Sequence, residues 1–151
     1  MIKVMIQAEA GSRDKARYDE KTMTSMGTGR VSRPYPYPYG FVVDTTAADG
    51  DNVDCYVVGH DDPKSGTIVE CEPVALLEQI ETGETDHKVL AVIAGLDAII
   101  PADALEVLRE LIHGVFADYP DSTVSVGPLR SREAAIGYIR NGQDGWAADT
   151  T

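Results

Sequence analysis

Three aspartates, Asp49, Asp51 and Asp54, follow one another at spacings of two and three residues. The stretch from residue 44 to residue 62 contains six Asp and neither Lys nor Arg. Carboxylates this close repel one another, and they stay ionised at neutral pH when a bound cation cancels their charge or when water solvates them. The stretch is therefore either a metal site or an acidic surface loop.

The spacing of these aspartates excludes one familiar metal site. Asp49-Gly50-Asp51 resembles the start of a calcium-binding loop, but that loop requires Gly at its sixth position and Glu at its twelfth. Asp54 and His60 occupy those two positions here. A calcium loop of this kind is therefore not expected.

A second acidic group, Glu81, Glu84 and Asp86, precedes a short apolar run that begins at Lys88. Adjacent strand ends could bring the two acidic groups together. Hard carboxylate oxygens at this density suit Mg²⁺, with Mn²⁺ as a substitute. An ordinary acidic surface remains the alternative at this point.

Basic side chains concentrate between Arg13 and Arg33, directly ahead of the acidic stretch. A basic segment followed by an acidic one suits a ligand that is anionic and metal-bound. The same pattern also arises when surface charges merely balance one another.

The elements that must position these residues are mostly short strands. Residues 2–8, 41–43, 55–58, 66–71, 74–77 and 88–92 are apolar β-type runs. Residues 9–33 are polar and are predicted to be irregular, and Pro at alternate positions makes residues 34–40 extended. Several short strands ahead of any helix predict a small β-barrel or sandwich.

Helices are predicted late in the chain. Asp103 and Glu106 form a capping-box-like start, helical spacing continues to Tyr119, and Pro120 stops the helix. After a strand at 123–126, a second helix is predicted at about 132–140, with Ser131 as its N-cap. The fold class is α+β, mainly β, with residues 1–142 as a single domain and 143–151 as a loose tail.

Composition limits the partners. A net charge of −12 disfavours binding to nucleic acid, because phosphate backbones require Lys and Arg. No apolar run reaches the ~18 residues of a membrane span, and no secretory signal is visible. Cys55 and Cys71 are expected to be buried thiols in a reducing compartment, so we expect a cytoplasmic protein that does not bind membranes.

The segment Tyr35-Pro36-Tyr37-Pro38-Tyr39-Gly40-Phe41, followed by Asp49-Gly50-Asp51-Asn52-Val53-Asp54, resembles the signature of the family I soluble inorganic pyrophosphatases. The resemblance covers about residues 3–140. It implies a five-stranded barrel of OB type flanked by two helices near the C-terminus, and hydrolysis of pyrophosphate with Mg²⁺. It also implies a homo-oligomer, with a hexamer as the form that the family suggests.

The resemblance implies roles for individual residues. Metal ligands would be Asp49, Asp54, Glu81 and Asp86. Asp51 would accept the proton of the attacking water, with Tyr39 beside that water. Substrate-binding residues would be Lys15, Arg17, Arg30, Tyr35, Lys88 and Tyr119.

Departures from the family pattern make this chain a divergent member. Asn52 stands where the signature has Pro, and Gln7 and Arg17 stand where the family has Glu. Gly27 and Pro120 stand where it has an Arg and a Lys, and Arg17 and Arg30 are the expected replacements. Hydrolysis of another phosphoanhydride, or metal and phosphate binding without catalysis, are the alternative functions.

Overall fold

The computed structural model describes residues 1–59, 62–97 and 99–143. Its strands are β1 (Ile2–Ala8), β2 (Asp14–Asp19), β3 (Thr24–Arg30), β4 (Tyr39–Val42), β5 (Asp54–Val57), β6 (Ile68–Glu81), β7 (Glu84–Thr85), β8 (Lys88–Ile93) and β9 (Val124–Arg130). Its helices are α1 (Ala104–Phe116) and α2 (Arg132–Gly142).

Five strands close into a barrel in the order β1-β4-β5-β8-β6, and β6 pairs back with β1. All these pairings are antiparallel except β5 with β8, which is parallel. The short β7 and the longer β9 extend β6 beyond the barrel. The predicted barrel with two late helices is confirmed.

Alternation along the barrel strands divides the core into two clusters. On β8, Val89 and Ala91 pack in the cluster that includes residues of α2, whereas Leu90 and Val92 pack in the cluster that includes residues of α1. Successive side chains of a strand point to opposite faces, so one strand serves both clusters. Each helix thus packs with its own cluster.

The prediction of irregular structure for residues 9–33 is wrong. β2 and β3 form an antiparallel hairpin outside the barrel, as a separate two-stranded sheet. Most of its residues are exposed or only half-buried, so the hairpin lacks the apolar alternation by which strands are recognised. At its turn, the Asp19 carboxylate accepts hydrogen bonds from the backbone N–H groups of Lys21 and Thr22.

The prediction of two separate strands at 66–71 and 74–77 is also wrong. A single strand, β6, continues through Pro73 between them. On one edge of β6, β1 pairs as far as Cys71 and β9 begins only at Leu76. Pro73 therefore lies where that edge has no ladder partner, next to an irregularity in the pairing with β8. A proline lacks the N–H of a ladder bond and is tolerated at such a position.

The helices are close to the predicted ones but differ at their ends. Asp103 is the N-cap of α1 but its side chain makes no capping hydrogen bond, and the helix ends at Phe116, before Tyr119. Ser131 caps α2 as predicted, accepting a hydrogen bond from the Ala134 N–H. Of the predicted tail, Gln143 forms an isolated bridge with Thr45, and residues 144–151 lie outside the described residues.

Cys55 and Cys71 are both buried and free, as predicted. In the described ranges, no helix has the length and apolarity to cross a membrane.

Candidate active site

The centre of the site is the Lys88 ammonium, which two carboxylates share. Asp54 is the first residue of β5 and Lys88 the first of β8, and the parallel register places them side by side. Lys88 Nζ donates to Asp54 Oδ2 at 2.6 Å and to Asp86 Oδ2 at 3.1 Å. Lys88 is only 7% exposed, so these charges interact away from bulk water.

One ammonium cannot neutralise two carboxylates. Burial alone would lower the pKa of Lys88, but Asp54 and Asp86 more than offset this and raise it. Burial raises the pKa of Asp86 to about 6, and the nearby Asp54 and Asp49 carboxylates add to the rise while Lys88 opposes it. The group therefore carries excess negative charge, which a bound cation would relieve.

An open acidic pocket of about 360 Å³ adjoins this group. It is lined by Asp49, Glu81 and Asp86, together with Thr82, Glu84 and Thr85. Glu81 and Glu84 face each other across the β6–β7 hairpin, whose turn at Thr82-Gly83 has positive φ at both residues. The structure thus brings Asp49 of the first acidic group into one pocket with all three members of the second.

The donor set suits a hard divalent cation. In the part of the chain that the structure describes, no three acidic, His or Cys side chains lie close enough to hold one ion directly. Carboxylates of Asp49, Glu81 and Asp86 nevertheless line one pocket, and a cation such as Mg²⁺, which keeps several of its waters, needs only one or two direct carboxylate ligands. Asp49, Glu81 and Asp86 therefore fit a hydrated divalent cation.

Lys88 also lines a cavity of about 140 Å³, which we call the tyrosine cavity. It is lined by Val31, Arg33, Tyr35, Tyr39, Tyr56, Gln79, Lys88, Leu111, Ile112 and Val115. Tyr35 and Tyr39 stack with ring centroids 4.9 Å apart, and Tyr39 contacts Tyr56 at the same distance. Burial raises the pKa of Tyr35 to about 12 and that of Tyr39 well above its usual value, so both are neutral hydroxyl groups near pH 7.

Lys15 lies on β2 of the hairpin, beside Tyr39, which lines the cavity. Its Nζ lies 5.3 Å from the centroid of the Tyr39 ring, within range of a cation–π contact. The structure therefore brings Lys15, Tyr35, Tyr39, Asp54 and Lys88 together.

Three other residues predicted to bind substrate lie elsewhere. Arg30 is 70% exposed and forms an ion pair with Asp14 across the hairpin, with 3.6 Å between Nε and Oδ1. The Arg17 guanidinium packs against Gly29, and Tyr119 is 57% exposed beyond the end of α1. None of the three lines the tyrosine cavity or the acidic pocket.

Arg33 is a candidate that sequence reasoning missed. It lines the tyrosine cavity with Lys88, and its guanidinium lies against Gly114 of α1, where even a Cβ would come within 3.2 Å of Arg33 Cζ. Its position directly before the Tyr-Pro segment was the available signal. Arg33 is therefore better placed than Arg30 to supply a cation to this cavity.

The loop that carries Asp49 and Asp51 is held by hydrogen bonds that sequence reasoning did not predict. Asp49 Oδ1 accepts a hydrogen bond from the Asp51 N–H at 3.0 Å. Lys21 Nζ donates to Thr45 O at 2.7 Å, to Thr46 Oγ1 at 2.8 Å and to Asn52 Oδ1 at 2.5 Å. The one signal in the sequence was Asn52 itself, in place of the signature proline.

Comparisons with known proteins agree with this geometry. The family model described as inorganic pyrophosphatase matches residues 4–147, so the chain belongs to the inorganic pyrophosphatase family. An inorganic pyrophosphatase of Aquifex pyrophilus is 33% identical over 93% of this chain and 86% of its own length. One of Synechocystis is 38% identical, but that match spans only 61% of this chain and 56% of the relative.

Solved structures show the same fold. The inorganic pyrophosphatase of Thermus thermophilus has a TM-score of 0.78 and 27% identity, with 99% of this chain and 91% of that chain covered. That of Helicobacter pylori has a TM-score of 0.83 at 22% identity, with 96% and 92% covered, and supports the fold alone.

Proposed function

We propose that this chain hydrolyses inorganic pyrophosphate to two phosphates with the help of Mg²⁺, for which Mn²⁺ can substitute. The observation that carries the proposal is the buried Lys88, held between Asp54 and Asp86, together with an acidic pocket that Asp86 lines and a cavity that Lys88 and Arg33 line. Such a site offers positive charge to phosphate oxygens and negative charge to a divalent cation. Family membership supports the same reaction.

The cation would be held by Asp49, Asp54, Glu81 and Asp86. When bound, it supplies positive charge that stabilises phosphate oxygens and lowers the pKa of water. These carboxylates keep excess negative charge in the absence of a cation, which favours its binding.

The remaining residues act on substrate and water. Asp51 takes a proton from the water that attacks one phosphorus, and the Tyr39 hydroxyl orients that water. The bond from this phosphorus to the bridging oxygen breaks, and the second phosphate leaves with that oxygen. Lys15 and Lys88 neutralise the charge that grows on the phosphates, and Tyr35 supports Tyr39 by stacking.

Arg33 takes the place of the cationic groups absent at Gly27 and Pro120. Its guanidinium can pair with two phosphate oxygens at once, which an ammonium cannot do with fixed geometry. Arg17, Arg30 and Tyr119 would contribute to substrate binding only if the hairpin or the end of α1 moved towards the cavity.

The test is release of phosphate from pyrophosphate in the presence of Mg²⁺. We expect turnover by the wild type and a fall of about a hundredfold or more in kcat for Asp51→Asn, because this change removes the general base and keeps its size. Turnover of nucleotides in preference to pyrophosphate, or of neither, would refute the proposal. Full activity of Asp51→Asn would refute the role of Asp51 alone.

We also propose that residues 1–142 act as one domain and that the chain works in the cytoplasm as a homo-oligomer, for which a hexamer is the first form to test. The family resemblance supports the assembly, as do exposed apolar side chains such as Leu96 and Ile99. Light scattering at several protein concentrations measures the state.

A further inference from the structure

Asn52 is a buried polar residue at the end of the aspartate loop. It is 1% exposed, and its side-chain amide and backbone N–H are all hydrogen-bonded. Its Nδ2 donates to Val42 O at 3.0 Å and to Glu20 O at 3.5 Å, and its Oδ1 accepts from Lys21 Nζ. Its backbone N–H donates to Glu20 Oε1 at 3.0 Å. A proline at this position would offer neither that N–H nor the side-chain amide.

The partners of Asn52 lie on another element, the turn of the β2–β3 hairpin. Glu20 and Lys21 follow β2 directly, and they reach the loop from outside the barrel. Lys21 adds bonds to Thr45 and Thr46, at the other end of the same loop. The hairpin turn therefore forms hydrogen bonds with both ends of the loop, on either side of Asp49 and Asp51.

The other end of the hairpin is attached by a second amide. Gln7 of β1, 3% exposed, donates from Nε2 to Ala16 O of β2 at 3.1 Å, which an ionised Glu at this position could not do. Lys15, beside the Tyr39 ring, is the neighbour of Ala16 on this strand. The hairpin is thus fixed to the barrel near Lys15 and to the aspartate loop at its turn.

We propose that Asn52, Glu20 and Lys21 are positioning residues that hold the aspartate loop in its cation-binding arrangement. They act through the hydrogen bonds that hold the loop, and in this proposal they contact neither substrate nor cation. The inference rests on the proposed metal site. Some residues do not bind a metal but hydrogen-bond to its ligands and orient them. Their removal lowers metal affinity by about ten- to a hundredfold.

The sign of the effect of Lys21 separates positioning from simple electrostatics. Lys21 carries a positive charge near the acidic loop, so its removal would strengthen cation binding if charge were its only role. Positioning predicts the opposite, because the loop loses three hydrogen bonds. We therefore expect Lys21→Met to weaken Mn²⁺ binding about tenfold.

The experiment measures Mn²⁺ binding to the metal-free chain by calorimetry, without substrate. The matched control is Lys64→Met, which removes the same charge from an exposed ion pair with Glu9. Asn52→Ala is expected to weaken binding to a similar degree. The double variant is expected to lose less affinity than the sum of the two single losses, because both single variants lose the same Lys21–Asn52 hydrogen bond.

Binding by Lys21→Met that equals or exceeds that of the wild type would overturn the inference, as would additive losses in the double variant. If the buried change Asn52→Ala prevents folding, Lys21→Met at the exposed hairpin turn still decides by the direction of its effect. Absence of Mn²⁺ binding in the wild type would instead overturn the proposed metal site.

Discussion

At the scale of single residues, the sequence left open which basic side chain replaces the Arg and Lys that the family has at the positions of Gly27 and Pro120. Arg30 forms an exposed ion pair with Asp14, whereas Arg33 lines the same cavity as Lys88 and Tyr39. The sequence alone could not show which arginine reaches the cavity. The backbone is irregular between Arg30 and Arg33, and its path determines where each side chain points. Only the packing of Arg33 on Gly114 of α1 settles where its guanidinium lies.

We predict that Arg33→Ala raises KM for pyrophosphate about tenfold, the size of one lost charge-assisted contact. Steady-state phosphate release at saturating Mg²⁺ measures it, with Arg30→Ala assayed in parallel. Arg109→Ala is the control, because this exposed arginine of α1 contacts only the Gly127 carbonyl in the hydrogen bonds of the described residues. A larger effect of Arg30→Ala than of Arg33→Ala would contradict the assignment.

At the scale of elements, Gly40 lies where β4 passes close to the backbone of β1. It lies on β4 opposite Ile6 of β1, and a Cβ there would overlap the Met5 carbonyl oxygen. Met5 belongs to a backbone held by β4 on one side and β6 on the other, so it cannot move away. The signature glycine is thus required by packing, next to Tyr39 of the site.

We predict that Gly40→Ala lowers Tm by at least about 10 °C, because it separates paired strands. The matched control is Gly137→Ala in α2, where no atom of the described residues, apart from the helix's own backbone and the adjacent residues, lies within 4 Å of the added methyl group. That change should raise Tm by a few degrees, since alanine stabilises a helix interior by about 1 kcal/mol relative to glycine. Thermal unfolding followed by circular dichroism measures both, and a normal Tm for Gly40→Ala would show that β1 and β4 tolerate separation.

The elements also show why some parts of the fold were predictable. Strands such as β1 and β8 are buried and carry apolar runs, so their residue types reveal them. The β2–β3 hairpin is exposed, and its stability depends on partners such as Gln7 and Asn52 that are distant in the chain. The pairing of Asp54 with Lys88 was foreseeable only as a meeting of strand ends, because register depends on the whole barrel.

At the scale of the whole molecule, a net charge of −12 means that the folded chain repels itself. We predict that its Tm in EDTA rises with NaCl, since the screening length falls from about 30 Å at 0.01 M to about 10 Å at 0.1 M. At equal ionic strength, MgCl₂ should raise Tm further, because binding to the folded state adds stability.

Asp86→Asn should keep the response to NaCl and lose most of the additional response to Mg²⁺. Equal effects of NaCl and MgCl₂ at matched ionic strength in the wild type would contradict a specific cation site.

The parallel pairing of β5 with β8 has a consequence for how the chain folds. Asp54 and Lys88 are 34 positions apart, and the seam between β1 and β6 joins residues still farther apart, such as Met5 and Ile68. Contacts of such high contact order form late and slowly, after the entropy of loop closure has been overcome. The cluster of Asp54, Asp86 and Lys88 therefore forms only in the global folding transition. The affinity of the chain for a cation then reports whether folding is complete.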